Sequence, residues 1–225
     1  MAMALSKQQK RYLQLGVLLV VVLVLKKHPL PVDVRAMFRF SGAMRISLGI
    51  MVLFNLYWGL AARNSAETKV SESGVSRGLH LFLLNAGVLL LVLPVPGLTQ
   101  RFLPDWRGLA IAGLAVQVAF FLLAIWSRRH LGANWAGEVR IATGHELVQS
   151  GPYRLIRHPI YTALLGMYVG MALVSGEMHA LLAVVLITLA YWRKLRLEET
   201  ALAGAFGASF AAYQEHSWKL VPYVF

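Results

Sequence analysis

From Gly108 to Trp126 the chain carries no charged residue, and Gln117 is its one amide side chain. In hydrocarbon each unpaired backbone N–H or C=O costs several kcal/mol, so a run of this kind has to close its hydrogen bonds within itself, as an α-helix does. At ~1.5 Å per residue such a helix approaches the ~30 Å thickness of a bilayer core. A bilayer is the solvent that this segment fits.

The rest of the chain repeats the pattern. Of 225 residues 58% are hydrophobic and 14% charged, the balance of a polytopic membrane protein, with no second, soluble domain. Apolar runs predict spans over Leu13–Leu25, Ile46–Ala62, Leu79–Val95, Gly108–Trp126, Ile160–Ser175 and Ala180–Trp192, an all-α bundle of about five or six transmembrane helices. Pro94 and Pro96 stop the third. Arg63–Gly78 reads as a loop, and His80, Asn85 and Gln117 as hydrogen-bonding groups between packed helices. Gly166 and Gly170 have the spacing that lets a second helix approach closely. No cleavable signal peptide is expected, because the first apolar run ends in Lys26, Lys27 and His28. The absence of cysteine excludes disulfides and thiolate chemistry.

The formal charge is +12, but its 22 Lys and Arg are dispersed over the connections between apolar runs, which argues for topology and anionic lipid rather than nucleic acid. With six spans, the side holding the 127–157 segment and the C-terminal tail has the greater part of those cations, which predicts that it faces the cytosol.

The chemistry concentrates in Gly151–Tyr161, GPYRLIRHPIY. Pro159 suits the first position of a helix, with His158 at its N-cap, and such a helix start favours an anionic group. The hairpin formed by the last two spans brings His158, Tyr161, Arg196, Glu198 and Glu199 to one interface. Glu198 and Glu199 are adjacent, hence roughly 100° apart on a helix, and do not act on one atom. One is free to hold a diol or an amine while the other pairs with Arg196 or a loop arginine. Taken singly these residues also read blandly: a solvated helix end, phosphate-facing arginines at 154 and 157, interfacial aromatics at Tyr153, Tyr161 and Trp135. No Rossmann fingerprint, P-loop or H-E-x-x-H is present.

Six pieces in order carry a resemblance: Leu131–Trp135 (LGANW), His145-x-Leu147-Val148, Gly151-Pro152-Tyr153, Arg157-His158-Pro159-x-Tyr161, Arg196-x-Glu198-Glu199, and Phe206-Gly207 with Tyr213 and Pro222. From about Ile125 to Pro222 the chain resembles the isoprenylcysteine carboxyl methyltransferases and their bacterial and archaeal relatives, and is also similar to phospholipid N-methyltransferases. The resemblance implies a helix bundle that binds S-adenosylmethionine in a cytosol-facing pocket built from the C-terminal half. Carried over, the cofactor residues are His145, Leu147, Val148, Gly151, Tyr153, Arg157, His158, Pro159, Tyr161, Glu198 and Glu199. The catalytic ones are Arg196, Glu199 and Tyr161, Arg196 lying close to the transferred methyl and the acceptor; no metal is implied. The division expected is 1–106, N-terminal transmembrane helices, and 107–225, methyltransferase core. The acceptor expected is lipophilic, reached from the bilayer of a prokaryotic inner or plasma membrane. Two departures bear on it: Ala124 stands where the eukaryotic carboxyl methyltransferases carry an arginine, with Arg128 and Arg129 one turn on, and Phe210 stands where tyrosine is common. Carboxylate O-methylation of an isoprenylcysteine-like substrate is the prototype reaction that the resemblance implies, and the rival readings are a phospholipid or small-amphiphile N- or S-methyltransferase, a sterol-reductase-like oxidoreductase using a nicotinamide and a non-catalytic lipid-binding protein.

Overall fold

The computed structural model describes residues 40–61, 73–132 and 147–224. The predicted span Leu13–Leu25, with His145 and Trp135, lies outside the described residues. Among those described, the chain forms six α-helices and no strand: α1 (Gly42–Ala61), α2 (Gly74–Val92), α3 (Arg107–Leu131), α4 (Pro159–Ser175), α5 (Met178–Phe206) and α6 (Ala208–Glu215), with a 3₁₀ turn at Gly151–Arg154. By length and composition α1, α2 and α3 are long and apolar enough to cross a membrane, and α4 is a shorter apolar helix. The protein is an integral membrane protein.

Helix ends depart from the sequence reading where side chains cap them. The hydroxyl of Ser73 accepts the Ser76 N–H (3.2 Å), so α2 begins inside the stretch expected to be a loop. Its last residue is Val92, two before Pro94. Continuation of α3 past Trp126 follows from its basic end: cations suit a helix C-terminus, and buried Arg128 donates to the carbonyls of Gly132 and Ala61, each at 2.7 Å. One arginine thus ties the end of α1 to the end of α3.

α3 packs along α4, and α2 along α5. The first contact depends on glycine. A Cβ on Gly170 would lie 2.6 Å from the Gly113 carbonyl oxygen, and one on Gly166 would enter the Phe120 ring. Gln117, fully buried, accepts from the Ser47 hydroxyl (2.8 Å) and donates to the Ser47 carbonyl (3.2 Å), joining α1 to α3. His80 Nδ1 stands 3.1 Å from the Ala190 carbonyl of α5. Asn85 behaves otherwise than expected: its amide donates back to Leu81 of its own helix (2.6 Å), without crossing to a neighbour.

At one end of the bundle the α4–α5 turn is clasped by the 93–106 connector. The N–H groups of Phe102 and Leu103 donate to the Gly176 carbonyl, Arg101 to Ser175, and His179 bridges the Leu90 carbonyl and the Glu177 carboxylate, both at 2.8 Å. The other end gathers the 3₁₀ turn, the start of α4, the charged half of α5 and the C-terminal tail.

Candidate functional site

Gly151 sets the entrance. Its φ of +58° is strained for other residues, and a Cβ there would fall 2.5 Å from His130 Nε2 at the end of α3. Pro152 and the 3₁₀ turn then bury Tyr153, whose carbonyl accepts from the Tyr213 hydroxyl. Tyr153 is 7% exposed, and its own hydroxyl has no hydrogen-bond partner among the described residues. Burial, with Glu198 and Tyr213 nearby, keeps that phenol protonated well above its ordinary range. A buried, unsatisfied donor is costly, so this hydroxyl is a point at which a bound polar group would be welcome.

Pro159 begins α4 with His158 as its N-cap. The imidazole lies parallel to the Tyr161 ring (centroids 5.6 Å apart, 12° between planes), and Tyr161 continues onto Tyr191 of α5 at 5.3 Å. From α5 the two glutamates approach this aromatic step on different errands. Glu198 accepts from the Tyr161 hydroxyl at 2.6 Å, with one oxygen 3.9 Å from His158 Nδ1, and its side chain stays 35% exposed. Glu199 is enclosed: Arg157 Nε at 3.0 Å, Lys219 Nζ at 2.9 Å and His158 Nε2 at 3.4 Å surround it. Burial pushes its carboxyl up, but hydrogen bonds from His158, Lys219 and Arg157 outweigh that and hold it down at about 2.

Of the residues singled out in the sequence, Arg157, His158, Pro159, Tyr161, Glu198 and Glu199 meet at this end of the hairpin, with Tyr153 and Gly151 on its flank. Leu147 and Val148 are half-buried just ahead, outside regular secondary structure. Arg196 stands apart: it is exposed, with its guanidinium 5.4 Å over the Trp192 ring. The solvated reading of Glu199 and the lipid-anchor reading of Arg157 both give way to a buried ion pair, whereas Arg154 is exposed. Ser217 and Lys219 also belong to this cluster, though neither stands in a motif and no sequence pattern points to them.

The partly exposed carboxylate of Glu198, the stacked rings and the unsatisfied Tyr153 hydroxyl fit an amphipathic ligand carrying both a positive charge and hydrogen-bonding groups. Residues 109–209, which run from α3 to the start of α6, match the family described as phospholipid methyltransferase. An uncharacterized protein of Bacillus subtilis (strain 168), YpbQ, is 35% identical over 60 residues, covering 27% of this chain and 33% of that protein. The chain thus spans about a third of the length of that relative.

Proposed function

We propose that the protein transfers a methyl group from S-adenosylmethionine to the polar head of a lipid or other amphiphile taken from the bilayer. One observation carries the reading: Glu199 is neutralised by three cationic or hydrogen-bonding neighbours while Glu198, one residue away, keeps a partly exposed carboxylate beside stacked aromatic rings. The two glutamates divide the work. Glu199 holds the Arg157–His158 turn in shape, and Glu198, oriented by Tyr161, takes the ribose or amino group of the cofactor. Tyr153 offers its hydroxyl, and His158 and Tyr161 line the cofactor with their rings.

When bound, S-adenosylmethionine supplies an electrophilic methyl on a sulfonium, and transfer breaks one carbon–sulfur bond as a bond to the acceptor forms, leaving the sulfur neutral. The protein's part is alignment and exclusion of water. An amine or a carboxylate needs no strong base to react, in keeping with a cluster whose one low-lying carboxylate is committed to ion pairs. Arg196, exposed beside Trp192 at the edge of the bundle, meets an anionic headgroup as the amphiphile arrives. Ala124 is fully buried and Arg128 is engaged by carbonyls, so the cation that a prenylcysteine carboxylate would use is absent from the Ala124 position. This favours a phospholipid or a similar amphiphile over an isoprenylcysteine. The gathering of Arg128, Arg129, Arg154, Arg157, Arg193, Lys194, Arg196 and Lys219 at the site end supports a cytosolic face.

Calorimetry on the detergent-purified protein tests the reading. Micromolar binding of S-adenosylmethionine, lost in Glu198→Ala and His158→Ala, is expected, with no signal from a nicotinamide dinucleotide. A folded protein that binds only the nicotinamide would be an oxidoreductase instead, and one that binds neither would sink the methyltransferase.

A further inference from the structure

The family match stops at residue 209, yet the site does not. Beyond α6 the tail turns back and lies alongside the approach to α4. Trp218 forms a parallel bridge with Ile156 and its N–H donates to Leu155 (3.0 Å); Arg157 and His158 donate their N–H groups to Trp218 (2.7 Å) and Lys219 (3.2 Å). The Thr162 hydroxyl reaches the Leu220 carbonyl at 2.7 Å. Arg157 also bonds to the carbonyl and hydroxyl of Ser217 and to the Gln214 carbonyl. Within this lacing Lys219 sends its ammonium to Glu199 Oε2 (2.9 Å), on the carboxylate whose other oxygen receives Arg157 and His158.

We propose that residues 217–220 are a strap that completes the cofactor site, and that Lys219 is its positioning residue, fixing Glu199 and through it the Arg157–His158 turn. The strap supplies two things no motif residue provides. Its carbonyls satisfy the N–H groups of Arg157 and His158 ahead of α4, where no intrahelical partner exists. Its ammonium gives Glu199 a counter-charge from a third segment, so that the carboxylate has one position and the imidazole stacked on Tyr161 has one orientation. Lys219 touches Glu199 and acts on the cofactor only through it. The inference rests on the methyltransferase reading of the site.

The experiment compares the full-length wild type with Lys219→Met and Lys219→Arg in detergent, reading S-adenosylmethionine affinity, turnover at saturating cofactor, and the pH at which thermal stability falls on acidification. Loss of a charged hydrogen bond at this point weakens cofactor affinity in Lys219→Met roughly tenfold, with turnover at saturation little changed, and Lys219→Arg restores most of it. Among the described residues, the groups facing Glu199 are Arg157, His158 and Lys219. Removing one cation raises the Glu199 carboxyl, so the acid loss of stability moves to higher pH by roughly one unit. Should Lys219→Met not fold, Lys219→Gln carries the same expectations. Wild-type affinity and an unmoved acid midpoint in the uncharged variant would overturn the strap, as would an arginine variant no better than methionine in both readouts. If the wild type itself binds no S-adenosylmethionine, the functional reading falls and the acid midpoint alone decides Lys219: a shift supports the positioning role, and no shift overturns it.

Discussion

Glu199 ties this site together, and its charge makes the tie sensitive to acid. Its carboxyl lies at about 2 in the folded protein against an ordinary 4.5. A depressed folded value contributes stability that is fully present above the ordinary value and disappears as pH falls through the folded one, so the window is pH 4.5 down to about 2. The side chain is 11% exposed, so little of the interaction is screened, and the shift corresponds to something on the order of 3 kcal/mol. Glu199→Gln should lower the thermal midpoint at neutral pH, since it leaves Arg157 and Lys219 without their anion, and should flatten the acid limb. Thermal denaturation of both proteins from pH 6 to 2 checks this; parallel curves would refute it. Tyr161→Phe tests the other glutamate. It removes the 2.6 Å bond to Glu198 but keeps the ring on His158 and Tyr191, so S-adenosylmethionine affinity should fall roughly tenfold while the thermal midpoint barely moves.

Among the elements, the α3–α4 contact decides whether the hairpin stands where the site needs it. A methyl on Gly170 meets the Gly113 carbonyl oxygen at 2.6 Å and the Gln117 nitrogen at 2.8 Å, backbone atoms that move only with the helix. Gly170→Ala should cost about 1–3 kcal/mol. Gly204 in α5 has none of the described residues within 4 Å of where a methyl would stand, and Gly204→Ala there should gain about 0.4–1 kcal/mol. Thermal midpoints of the two variants moving in opposite directions would confirm that space, not helix propensity, governs the first. The close contact was legible in the sequence, because glycines four apart in an apolar run have few other uses. So was the start of α4 at Pro159, where ring and cap chemistry leave little choice. The run of α5 past Trp192 through its charged half was legible too. The end of α3 was not: that helix continues through cations that hydropathy reads as an exit from the membrane, and Arg128 finds the carbonyls of Gly132 and Ala61 that no local pattern announces. The tail was opaque for a related reason. Lys219 and Glu199 are distant in sequence, and their pairing depends on α6 reversing the chain.

At the scale of the whole molecule, the bundle has two chemically different ends. Among the described residues, the end with the α4–α5 turn holds Arg101, Arg107, Asp105 and Glu177, and Arg45 lies in the first turn of α1, whereas the site end holds the greater number of Lys and Arg. Positive charge resists translocation, so the site end should stay in the cytosol, where S-adenosylmethionine is made and where its charge has no membrane to cross. The chain has no cysteine, so single introduced thiols report sidedness without background. Asp105 is 90% exposed at the far end and pairs only loosely with Arg101 at 3.6 Å, so Asp105→Cys should leave the fold intact. Glu215, exposed at the end of α6, marks the site end. In intact cells a membrane-impermeant maleimide should label Asp105→Cys and spare Glu215→Cys until the membrane is opened. The reverse pattern would put the site outside, away from its donor, and would count against the methyltransferase as strongly as a failure to bind the cofactor.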